Sequence, residues 1–164
     1  MIFEAVLVDV DGTELQRERV HNLRPDAACN HILDVVLAAG SQVTAWFLAP
    51  LKTDHTPAGG DTYANSMSTS NYESTDYSES TRQQWTPGTV ASKSVDNTAS
   101  VAEFTMGGVD STIYGMALVS VATKNDAGSG VLFSISQFDN PITSITAGRK
   151  LYLTAYETES DDGV

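Results

Sequence analysis

The stretch Asp26-Ala-Ala-Cys-Asn-His-Ile-Leu-Asp-Val-Val-Leu-Ala-Ala-Gly40 reads as the one long helix of this chain, and it decides the fold. At about 3.6 residues per turn, Cys29, Ile32, Leu33, Val36 and Leu37 share one broad face, with Asn30, His31 and Asp34 opposite. Pro25 suits the start, where its missing N–H has no intrahelical partner, and Gly40 suits a left-handed stop. A helix of this length is marginal alone, while each aliphatic side chain gains roughly 1.5–3 kcal/mol on full burial. The expectation is therefore a helix over about residues 25–39, packed by its apolar face on a sheet.

The rest of the chain supplies that sheet. Ser and Thr number 35 of 164 residues and charged residues only 18%, which suits sheet faces and turns better than helical surfaces. Residues 2–10 and Thr13 to Val20 read as a hairpin around Asp11-Gly12. After the helix, Gln42 to Leu51 reads as a buried strand, residues 52–62 as a long surface loop, and residues 61–80 as an acidic, Tyr-rich, partly exposed edge able to meet a partner. Short strands follow between turn signals: Gln83 to Trp85, Thr89 to Val95, Ser100 to Met106, Thr112 to Thr123, Val131 to Phe138 and Lys150 to Tyr156, with an acidic tail after them. Strands at this spacing predict one mainly β domain over residues 1–164, a β-sandwich or jelly-roll-like pair of sheets with an N-terminal hairpin and one packed helix.

Charge and composition bound the function. A net charge of −12 with no Lys/Arg cluster repels phosphate backbones, so no nucleic-acid partner is expected. No apolar run approaches the ~20 residues that span a bilayer, which sets the expectation of a soluble protein made in the cytoplasm, with no membrane partner. Cys29, the single cysteine, is expected as a small buried hydrophobe on the helix. Trp46 and Trp85, each beside strand formers, are expected as core anchors rather than sugar platforms.

Several short motifs compete with this reading. Val6-Leu-Val-Asp-Val-Asp-Gly-Thr13 is similar to the first motif of haloacid-dehalogenase-like phosphatases, which would make Asp9 a nucleophile, Asp11 a general acid/base and Mg²⁺ a cofactor. That chemistry also needs a Lys, a Ser/Thr ending another strand and a second acidic pair on a parallel sheet. The only Asp-Asp pair, Asp161-Asp162, stands at the chain end, and no βαβα alternation follows the first strand. Around Gly12, Asp9, Asp11 and Glu18 fall at calcium-loop positions, but Leu7 occupies the first ligand position and strands flank the loop where helices are needed. His21, His31 and His55 have no zinc spacing, and Gly59-Gly60 and Gly107-Gly108 lack the phosphate-loop Lys. No catalytic, cofactor or metal residue is therefore assigned, and no enzyme activity is expected.

The order of the landmarks resembles a widespread group of small bacteriophage virion proteins. The residues carrying the likeness are Asp11-Gly12, His21-Asn22-Leu23, Ile32-Leu33-Asp34 through Gly40, and Val43-Thr-Ala-Trp46-Phe; then Asp61-Thr-Tyr-Ala64, Thr81-Arg-Gln-Gln-Trp-Thr-Pro-Gly88, Ser94-Val-Asp-Asn-Thr-Ala-Ser100 leading to Glu103-Phe-Thr, and Thr146-Ala-Gly148. The likeness spans nearly the whole chain and contains no active-site motif. It implies a particle component: in first place a capsid decoration or cement protein, a homotrimer bound to the major capsid protein on the outside of the head, and in second place a tail, tail-fibre or adaptor subunit. The longer loop around Lys52–Pro57 and the acidic tail Glu157–Asp162 depart from the pattern.

Overall fold

The computed structural model describes residues 1–67, 72–126 and 128–159. Strand β1 (Ile2–Val8) turns at Asp11-Gly12 into β2 (Glu14–His21), with Gly12 at φ 90° and the Asp9 N–H donating to Thr13 O at 2.8 Å. Helix α1 (Asp26–Leu37) follows, then β3 (Trp46–Leu51), a short helix α2 (Tyr63–Ser66), β4 (Gln83–Trp85), β5 (Ser94–Asp96), β6 (Ala102–Thr105), β7 (Ile113–Val119), β8 (Leu132–Ile142) and β9 (Lys150–Thr158). One sheet runs β2-β1-β9-β5 with β6 also on β9, and the other runs β4-β3-β7-β8. Every named pairing is antiparallel, and the architecture is the expected β-sandwich with one main helix.

Alternation explains how the sheets meet. On β1, Phe3, Ala5 and Leu7 are buried and sit opposite Ala155, Leu153 and Leu151 of β9, while Glu4 and Val6 face outward. These inward rows pack on Leu48, Met116, Leu118 and Phe138 of the second sheet. In β7, Gly115 lies so close to Ser136 O that a Cβ would collide with backbone, which leaves glycine as the only fit.

Side chains close both flanks of the sandwich. Gln16 on β2 donates from Nε2 to Pro141 O (2.9 Å) and accepts from Thr143 N (3.0 Å), and on the other flank Trp85 Nε1 donates to Ala155 O (3.3 Å). Between β5 and β6 the chain steps away from β9, and the buried Asn97 fills the gap. Its Oδ1 accepts from Ala155 N (2.9 Å) and its Nδ2 donates to Leu153 O (3.3 Å), so an amide side chain continues the ladder that the backbone leaves. Several strand bounds differ from expectation: β3 starts at Trp46 rather than Gln42, β7 ends at Val119 rather than Thr123, and two others differ for local reasons. Strand β5 starts only at Ser94, because Ser92 and Lys93 take positive φ in a turn closed by Ala91 and Ser94. Strand β8 continues through Asp139-Asn-Pro141, where the register with β7 breaks and a proline costs no ladder bond.

Residues 52–82 correct the sequence reading. Expected as a surface loop and a partly exposed acidic edge, the described residues among them fold over the outer face of the second sheet and build a second core from Tyr63 and Met67 against Ala49, Leu51, Ala117, Val119, Leu132 and Ile135. The charge that looked solvated is inside: Glu73 and Arg82 are both fully buried, joined by Nε to Oε1 at 2.7 Å and Nη2 to Oε2 at 2.9 Å. Arg82 Nη1 also donates to Tyr63 OH (2.8 Å) and Val121 O (2.7 Å), and Glu73 accepts from Asn125 N (2.9 Å). A buried pair this fully hydrogen-bonded offsets its desolvation, and neither half is tolerable alone.

Helix α1 is where expected but rotated. Ala28 is buried and His31, Ile32 and Val35 are half-buried against the sandwich, while Cys29 is exposed and Leu33, Val36 and Leu37 are 55%, 70% and 77% exposed. The buried stripe is displaced by one residue, about 100° of turn. Two local features account for this. Ala28 and the buried Pro25 let the helix start come close to the sheet, and His31 meets Trp46 edge-on at 6.0 Å between ring centres. The stop also differs: Ala39 takes the left-handed conformation (φ 58°), and both Ala38 N and Gly40 N donate to Asp34 O.

Candidate interaction surface

The residues that suggested catalysis do not assemble. Asp9 Oδ1 accepts from its neighbour Val10 N (2.8 Å) and from Arg149 Nε (3.3 Å), and Asp11 Oδ1 accepts from Thr13 N (2.9 Å), so both carboxylates brace the hairpin turn. That hydrogen bond and the Thr13 hydroxyl hold the Asp11 carboxyl below its usual range. Glu18 lies on β2, directly opposite Ala5, and the turn is flanked by strands. Asp161-Asp162 lies outside the described residues. His55 Nε2 donates to Asp61 Oδ2 (2.9 Å) and its ring stacks on Tyr72 at 4.2 Å, while His31 serves the helix contact above. Among the described residues no three His, Cys, Asp or Glu side chains group as metal ligands.

What the structure does assemble is an apolar surface around α1. Cys29, Leu33, Val36 and Leu37 form a ridge along the outer side of the helix, spaced i, i+4, i+7, i+8. Beside it, between α1 and the segment leading into β3, a groove of about 150 Å³ is lined by apolar side chains, among them Ile32, Val36, Trp46 and Phe133, together with the polar His31 and Gln42. Trp46 and Phe133 meet edge-to-face at 5.0 Å and form its floor. From Pro25 to Leu51 the chain contains no Lys or Arg, and its only carboxylates are Asp26 and Asp34, both exposed on α1.

Phe133 is also the wall of a second cavity, about 230 Å³, at the mouth between the two sheets, with Arg24, Val90, Val95 and Glu157 around it. Glu157 points inward from β9 where Leu151, Leu153 and Ala155 precede it, and is 7% exposed. Burial pushes its carboxyl up to about 7, against hydrogen bonds from Asn22 Nδ2 (3.1 Å) and Ser134 Oγ (3.2 Å) that act the other way. Arg24 lies over the Phe133 ring at 5.3 Å but pairs with Glu159 at 2.6 Å. Asn22 Oδ1, Arg24 Nε and Glu157 Oε2 have no hydrogen-bond partner. The sequence reading placed Glu157 in an acidic tail. The alternation of Leu151, Leu153 and Ala155 is the signal that would have put it inside.

Searches of family models, curated proteins and solved structures find no match to this chain.

Proposed function

We propose that this chain is a structural protein of a bacteriophage particle, a capsid decoration protein that binds the outside of the assembled head and stabilises it. The observation that carries the proposal is the α1 ridge: a sandwich with a closed core leaves Leu33, Val36 and Leu37 more than half exposed along one helix. Exposed apolar surface of this kind, rimmed by polar residues, marks an interaction site. The resemblance adds the kind of partner, the major capsid protein. It also adds the arrangement, a homotrimer at three-fold or quasi-three-fold positions, where one subunit type can bridge several shell subunits.

The positions that carry the resemblance support a mechanical rather than a catalytic role, because their side chains hold the sandwich together. Asn97 continues the β9 ladder, Trp85 ties one sheet to the other, Arg82 anchors residues 52–82, and Gly12 and Gly148 take positive φ in turns. The net charge of −12 favours the outer surface over the DNA-facing one. A rigid module that binds only the assembled shell stabilises it by mass action, by RT ln(1 + [L]/Kd) at each site. Heat-release curves on particles with and without the protein test this. Particles lacking it should assemble with normal shape and release DNA at a lower temperature. An unchanged release temperature refutes the stabilising role.

A further inference from the structure

The chemistry of the α1 ridge specifies its partner more narrowly. We propose that the ridge and the Trp46 groove take an amphipathic helical segment of the partner protein whose apolar face is bordered by Lys or Arg. The inference rests on the binding role proposed above but does not require that the partner be a capsid subunit.

Three observations lead there. First, the spacing of Cys29, Leu33, Val36 and Leu37 along α1 presents a ridge that another helix can receive in its own grooves, with the adjoining groove accepting a side chain over Trp46 and Phe133. Second, the carboxylates of α1 are Asp26 and Asp34, residues 25–51 carry no Lys or Arg, and Arg24, which lies over the Phe133 ring, is already paired with Glu159, on a chain whose net charge is −12. A partner with basic flanks gains from both carboxylates, whereas an acidic one is repelled by them and by the whole molecule. Third, the exposed part of the ridge amounts to a few hundred Å². Each side of a stable protein–protein interface usually contributes about 800 Å². Two copies joined ridge to ridge would therefore bury too little, and would bring together four aspartates and two molecules of charge −12. One inserted helix covers the groove as well as the ridge and brings no second molecule of charge −12.

The probe is a pair of synthetic helical peptides with the same Leu/Ile face, one flanked by Lys and Arg and the other by Glu, titrated into the ¹⁵N-labelled full chain. The basic peptide should shift the amides of residues 29–37 and 42–46, saturably and more weakly at high salt. Its affinity should fall at least about tenfold in Leu37→Lys, which alters a side chain 77% exposed and so leaves the fold intact, and about two- to threefold in Asp34→Asn. The acidic peptide should leave these amides unmoved. Equal binding of both peptides, shifts confined to other surfaces, or no shifts with either overturns the inference. So does a concentration-dependent increase in mass by light scattering that Leu37→Lys abolishes, because a second copy would then cover the ridge. None of these outcomes alters the heat-release result, so a failure here is separable from a failure of the decoration role.

Discussion

Replacing Glu157 with Gln should stabilise the protein in alkaline solution and remove most of its pH dependence near neutrality. Glu157 is 7% exposed and stays protonated up to about 7, against an ordinary glutamate value of 4.5. Between those pH values the folded chain keeps a proton that the unfolded chain has released. Stability therefore falls as pH rises through the window and levels off above it. The full loss is roughly 3 kcal/mol. For a chain of this size that is a drop in melting temperature of roughly 6–12 °C. Gln is the isostere of the neutral acid and can keep accepting from Asn22 Nδ2 and Ser134 Oγ. Thermal melts of wild type and Glu157→Gln at intervals from pH 4 to 9 isolate the effect, since every other titrating group is common to both. The two should coincide at the acid end and separate through neutrality, with the variant melting higher above pH 7. Parallel profiles across the range would show that Glu157 titrates like an exposed carboxyl, and would refute the buried acid between the sheets.

Other substitutions follow from the same packing. Glu73→Gln leaves Arg82 buried without its counter-charge and should cost roughly 3–5 kcal/mol in urea unfolding; a loss under 1 kcal/mol would mean the pair is hydrated. Ile32→Asp, on the sheet-facing side of α1, should cost roughly 1–3 kcal/mol, whereas Leu37→Ser should stay within about 0.5 kcal/mol; the reverse order in thermal melts would mean the helix is docked by its other face. Asp9→Asn should lower stability by no more than about 1 kcal/mol through its contact with Arg149, and Mg²⁺-dependent phosphatase assays on the wild type should stay at background; turnover abolished by Asp9→Asn would restore the catalytic reading of the hairpin.

Period and turn chemistry made the sandwich legible. The alternation of Phe3, Ala5 and Leu7, the Asp11-Gly12 turn, and the exact strand Gln83–Trp85 are local signals, and local physics decides them. Three features were not legible because they depend on partners distant in sequence. The ion pair of Glu73 with Arg82 forms only when residues 52–82 close over the second sheet, and an acidic, Tyr-rich segment read alone looks solvated. Asn97 looks like an ordinary turn residue until β9 arrives beside it, 58 residues later. The rotation of α1 is the most instructive case. Its sequence holds two stripes that overlap at Ile32, Ala28-His31-Ile32-Val35 and Cys29-Ile32-Leu33-Val36-Leu37, and hydrophobicity favours the second. Close approach at Pro25 and Ala28 and the contact of His31 with Trp46 select the first. Apart from Ile32, the stripe that periodicity assigns to the core is thus the one left exposed.

Cryo-electron microscopy of the intact particle decides whether this stripe holds the protein to the outside of a phage head, as proposed above. Many copies are expected, as trimers at three-fold or quasi-three-fold positions on the outer capsid surface, with Leu33, Val36 and Leu37 against the shell. Density for the protein only at the tail, or on the head with α1 facing solvent, would contradict it.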